Sequence, residues 1–73
     1  MARESLGERM TSLRQAAGLS QAELAERAVV SLVALEYWER GVGRPTDSEE
    51  SAIAGALGVS LERLLAGTDA PVK

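Results

Sequence analysis

The 73-residue sequence contains no cysteine and no histidine. Without thiols there is no disulfide to staple a small domain, no thiolate metal site, and nothing that marks a bridged, secreted scaffold. Without imidazole the chain is missing both the usual general base and the commonest metal ligand. One tyrosine, scattered Ser and Thr hydroxyls and a set of carboxylates are left, and no spacing among them suggests a reaction. The expectation is a protein that is not an enzyme and uses neither cofactor nor metal. Long apolar runs are missing as well. The opening MARESLGERM is too polar for a signal peptide, and no window approaches a membrane span. That points to a cytoplasmic protein with no membrane partner. Positive charge is in short supply: 8 Lys and Arg stand against 11 Asp and Glu, for a formal net charge of −3. Affinity for nucleic acid rests largely on neutralising phosphates, so any basic face on this chain must be thin.

What is present reads as helix throughout. The length allows one domain and one core, with little stability to spare. Five helical segments are expected, and no strand. Leu6, Met10, Leu13 and Ala17 recur at three- and four-residue steps, which predicts a first helix over roughly 3–17, stopped by Gly18. In LSQAEL, Ser20 and Glu23 form a capping box, with Leu19 and Leu24 spaced as a hydrophobic staple. These signals start a second helix at about 21–27. Ser31 caps a third helix, with Val30 and Leu35 as its staple and Ala34 at the box position. Leu35 and Trp38 share the inward side. Val33, Glu36, Tyr37 and Arg40 point away from them, Leu32 lies at the border, and Gly41 ends the helix. Thr46 and Glu49 form another capping box, and Asp47, Glu49 and Glu50 crowd the first turn, where the helix dipole favours acids. This fourth helix is expected to run to Leu57 with Ala52, Ile53, Ala56 and Leu57 inward, and to stop at Gly58. Ser60 caps a short fifth helix carrying Leu61, Leu64 and Leu65 and closed by Gly67. The reading is one domain over 1–67 and a flexible tail over 68–73.

The stretch LAERAVVSLVALEYWERG, residues 24–41, outlines two short helices around a three-residue turn, a module that sets its second helix in the DNA major groove. The chain from Leu6 to Leu65 resembles the Cro/repressor-type helix-turn-helix family, also called the xenobiotic-response-element family. The resemblance is carried by LGERMTSLRQAAGLSQAELAERA, then SLVALEYWERG, then RP and ALGVSLERLL. It implies an all-α, compact, five-helix, lambda-repressor-like DNA-binding domain in which helices 2 and 3 form the helix-turn-helix. Gln21 then matches a glutamine that contacts the sugar–phosphate backbone. Ser31, Leu32, Val33, Glu36 and Tyr37 fall where the recognition helix meets base edges and nearby phosphates. Arg40 and Arg44 fall where the family holds phosphates beyond that helix. Arg14 and Glu39 match a structural pair linking helix 1 to the end of helix 3.

The sequence departs from the family pattern in three places. The family's turn reads A-G-V-S, and here it is Ala28-Val29-Val30-Ser31. A β-branched residue is costly in the left-handed conformation the glycine takes, so either the turn is rebuilt or Val29 is held under strain. The base-reading surface offers Leu32 and Val33, which can touch thymine methyls but cannot hydrogen-bond, and Glu36, which can accept from a cytosine amine. Asp47 and Glu50 stand where leucines are usual, so the start of helix 4 is expected to be loose or shifted.

Two functions follow. The first is a sequence-specific DNA-binding transcriptional regulator with helix 32–40 in the major groove of double-stranded DNA, acting as a homodimer. The alternative is a protein-interaction module of the same fold, an antitoxin or adaptor, presenting Leu32, Val33 and Tyr37 to a protein partner with weak or no DNA binding. Leu32 and Val33 have a third reading, partial burial if loss of the turn glycine rotates helix 3.

Overall fold

The computed structural model describes residues 4–66, which form five α-helices: α1 (Leu6–Ala16), α2 (Gln21–Ala28), α3 (Leu32–Glu39), α4 (Asp47–Leu57) and α5 (Leu61–Leu65). Each begins at a Ser or Thr whose side-chain oxygen accepts from the backbone N–H three residues on, relieving one of the unpaired donors of the first turn. Three of the five starts, at Ser5, Ser20 and Thr46, are complete capping boxes in which Glu8, Glu23 and Glu49 bond back to the cap. The box at Ser5 corrects the expected start of α1. The helix begins at Leu6 rather than near residue 3, because Ser5 is extended at its cap. Ala17 is also outside the stripe expected of it: it caps α1 and is exposed. Gly67 and the tail over 68–73 lie outside the described residues.

The core is one cluster. Leu6, Met10 and Leu13 of α1 meet Leu24, Ala25 and Ala28 of α2, Leu35 and Trp38 of α3, Ile53 and Ala54 of α4, and Leu64 of α5. Leu19, between α1 and α2, is buried with them. Helix α2 packs against both α3 and α4, and α1 against α3 and α5. The approach of α1 to the end of α3 is tight. A side-chain carbon at Gly7 would lie 2.3 Å from the Trp38 carbonyl oxygen and 2.7 Å from that of Glu39. Only a glycine lets the two helices meet there.

Helix α4 turns its expected residues to the core, Ile53 fully and Ala52, Ala56 and Leu57 at its edge, and adds Glu50 and Ala54 to that face. Contrary to expectation, its first turn is not loose. Glu50 is 4% exposed, and its carboxylate accepts from Arg44 Nη2 at 3.0 Å. A buried carboxylate without a partner would be severely destabilising. Arg44, arriving from the α3–α4 connection, supplies that partner.

Candidate nucleic-acid interface

The turn between α2 and α3 keeps its geometry without a glycine. Val29 sits at φ 57°, ψ 48°, in the left-handed region, the one non-glycine residue with positive φ among those described. Val30 N–H bonds back to the Ala25 carbonyl at 3.0 Å and Val29 N–H to that of Glu26 at 3.2 Å, the paired bonds of a Schellman stop. Of the two outcomes open from sequence, strain is the one realised. Holding a valine there costs about 1–2 kcal/mol. The Val29 side chain recovers none of it by packing, being 89% exposed.

Because the turn is intact, α3 is not rotated into the core. Leu35 and Trp38 are buried, while Leu32 is 39%, Val33 57% and Tyr37 46% exposed. Neither Leu32 nor Val33 is turned into the core, Leu32 being the more covered of the two. Ser31 caps α3, its Oγ accepting from Ala34 N–H at 3.2 Å, and stays exposed at the entry to the helix.

Behind this face lies a polar frame. Arg14 grips Glu39 with two bonds, Nε to Oε2 at 2.9 Å and Nη2 to Oε1 at 3.1 Å, while its Nη1 donates to the Leu19 carbonyl at 2.9 Å. Both side chains are largely buried. Gln21 joins them, donating from Nε2 to Glu39 Oε1 at 2.9 Å. One N–H and the carbonyl oxygen of its amide are left for outside partners. The link between Gln21 and Glu39 spans 18 residues, so no local spacing announces it.

Gln21, Glu36 and Arg40 line a cleft of about 300 Å³ between the start of α2 and the later half of α3. The Arg40 guanidinium lies over the Tyr37 ring, 5.1 Å from its centroid, a cation–π contact that pre-orients the charge. That contact was legible in principle, since residues three apart share a helix face. Arg44 is placed differently. It is bound to Glu50, so its charge is compensated within the fold. At the head of α2, the Ser20 backbone N–H, which donates to the Glu23 carboxylate, is the main influence holding that carboxyl below its ordinary value of 4.5; the Ser20 hydroxyl and the charge of Arg27 add to it.

Five helices around one core, with α2 and α3 joined by a tight turn and α3 exposed along its outer side, define a lambda-repressor-like domain built on a helix-turn-helix. The sequence model of the family described as Helix-turn-helix matches residues 11–64. The chain is 34% identical over 62 residues to the HTH-type transcriptional activator BcrR of Enterococcus faecalis, aligning 85% of this chain with 30% of that protein. Among solved structures it is similar to the DNA-binding domain of the P22 c2 repressor, with a TM-score of 0.85 and 32% identity over 100% of this chain and 96% of that one. The same repressor in complex with a synthetic operator superposes with a TM-score of 0.80, at 34% identity over 88% of this chain and 97% of that one. The N-terminal DNA-binding domain of SinR from Bacillus subtilis superposes with a TM-score of 0.80, at 30% identity over 89% of this chain and 96% of that one. The chain belongs to the helix-turn-helix family. It spans about three tenths of the length of the curated relatives it matches. Among the described residues no helix is long and apolar enough to cross a membrane.

Proposed function

We propose that this chain is a sequence-specific DNA-binding module of a transcriptional regulator, inserting α3 into the major groove of double-stranded DNA. The observation that carries the reading is the undistorted turn. It leaves the outer side of α3 free, between Gln21 at the start of α2 and Arg40 at the end of α3. Gln21 and Arg40 then bind phosphates on either side of the helix and set its register. Ser31, Leu32, Val33, Glu36 and Tyr37 face the groove. The frame of Arg14 and Glu39 holds the Gln21 amide in place for its contact. The role is binding rather than catalysis, in the cytoplasm, and a homodimer would place two such helices about 34 Å apart on successive major grooves. The relatives include an activator and repressors.

The exposed apolar row of Leu32, Val33 and Tyr37 favours a second reading, in which this face docks a protein. Selection of bound fragments from a sheared genomic library at low salt separates the two, followed by salt titration of the best fragment. Recovery of one enriched site supports the regulator. Within that experiment, Arg40→Ala is expected to reduce the salt slope by about 0.9, the worth of one phosphate contact. Arg44→Ala should change the slope by much less, because Glu50 already balances its charge. Binding near zero at low salt overturns the DNA reading for this chain.

A further inference from the structure

The outer side of α3 carries no arginine, lysine, asparagine or glutamine before Arg40, and these are the side chains that recognise guanine and adenine by paired hydrogen bonds. We infer that α3 selects a thymine with its apolar first turn and, about two base pairs away, a cytosine with Glu36. The inference rests on the DNA-binding reading and names the sequence class that site takes.

The argument begins with position. Leu32 and Val33 are exposed at the leading end of the helix, the end that enters the groove first in this motif. Thymine presents a C5 methyl in the major groove, and an isopropyl or isobutyl group can cover it. Glu36 lies four residues after Leu32 and three after Val33, on the same side of α3. At a rise of about 1.5 Å per residue, four residues advance about 6 Å, close to two base-pair steps of about 3.4 Å.

Charge then chooses the partner of Glu36. Its carboxylate lines the same cleft as Gln21 and Arg40 and makes no ion pair among the described residues. A carboxylate carried towards DNA is repelled by phosphates and by the N7 and O6 acceptors of guanine. Adenine sets an N7 acceptor beside its amine. Cytosine offers an N4 amine and, of the four bases, suits a lone acceptor best. Arg40 shares the cleft but does not pair with Glu36; its guanidinium is stacked on Tyr37 instead.

The test uses the sites selected by the intact chain. Wild-type protein is expected to enrich a thymine and a cytosine about two pairs apart. Replacing that thymine by uracil removes only the methyl and should weaken binding about fourfold, the worth of one buried methyl-sized group. Val33→Ala should reduce that sensitivity. Glu36→Gln is expected to shift the preferred base at the second position from cytosine to adenine, which glutamine binds through N6 and N7. Thermal melting of both variants checks that the fold is retained; each side chain is on the surface. A specific site that is indifferent to uracil, with an unchanged preference in Glu36→Gln, overturns the inference while leaving the DNA-binding reading intact. Absence of any DNA binding by the wild type overturns both.

Discussion

Individual residues decide how well α3 is presented. Val29 is the clearest case, a β-branched residue at φ 57° with its side chain in solvent. Replacing it with glycine removes about 1–2 kcal/mol of left-handed strain and adds roughly 0.5–1 kcal/mol of unfolded-chain entropy. Val29→Gly is therefore expected to stabilise the domain by up to about 1.5 kcal/mol, centred on about 0.75, raising the thermal midpoint by about 3–6 °C at that centre. A calorimetric scan of the two proteins checks it. A midpoint that falls would mean that the valine side chain makes a contact the strain argument leaves out. Glu50 is the opposite kind of residue. From sequence it reads as one more acid in a helix's first turn. The fold buries it and brings Arg44 to it, so that an arginine still 42% exposed has its charge balanced within the fold.

At the scale of elements, the helices are fixed mainly by their ends. The capping boxes at Ser5, Ser20 and Thr46 define starts that no tertiary contact has to impose. The box at Ser20 is sensitive to acid. Since the Glu23 carboxyl titrates below its ordinary value in the folded chain, its contribution is fully present above that ordinary value. It is lost as pH falls through the lowered one. Glu23→Gln keeps the hydrogen-bonding shape but not the charge. It should be less stable than wild type at neutral pH, with the difference closing as pH falls through the lowered value, as denaturant titrations at neutral and acid pH would reveal. Helix contacts are less forgiving than helix ends. Gly7→Ala drives a methyl into the Trp38 and Glu39 carbonyls and forces α1 away from α3. Overpacking of this kind costs roughly 1–3 kcal/mol. The loss should appear as a lower denaturation midpoint, together with weaker DNA binding because the end of α3 moves.

For the whole molecule, the question is how an acidic protein approaches a polyanion. With a formal net charge of −3, the long-range field does not draw it to DNA. The local arrangement has to compensate: Arg40 pre-stacked on Tyr37, Gln21 tethered to Glu39, and the exposed Leu32, Val33 and Tyr37 around the single carboxylate of Glu36. On the proposed reading, a single domain with few unpaired cations among its described residues should bind weakly, and two domains joined on one operator should bind cooperatively. For the proposed dimer, inserting about five base pairs between half-sites turns one of them to the far side of the duplex, and inserting about ten restores the phase. Electrophoretic mobility shifts on such spacer variants should lose and then regain the doubly occupied complex. Equal affinity for all spacings would point to independent monomers.

Much of this architecture is local information, and for that reason the sequence alone determined it. Capping residues, hydrophobic steps and glycine stops act within a few residues of each other, so all five helices were legible, as were the placement of Leu35 and Trp38 in the core and of Val33, Glu36, Tyr37 and Arg40 on the outer side of α3. The start of α1 is set not by the apolar stripe, which predicts a longer helix, but by the cap at Ser5 with Glu8 three residues on. What only the tertiary structure decided depends on groups distant along the chain or on a balance of energies. Whether Val29 would deform the turn hinges on comparing about 1–2 kcal/mol of strain with the packing of five helices around one core, and packing prevails. The Gln21–Glu39–Arg14 frame joins three elements, and the burial of Glu50 depends on Arg44 reaching it from the preceding loop. A linear sequence supplies those charges, and only the folded chain determines which of them are compensated and which are left to meet a partner.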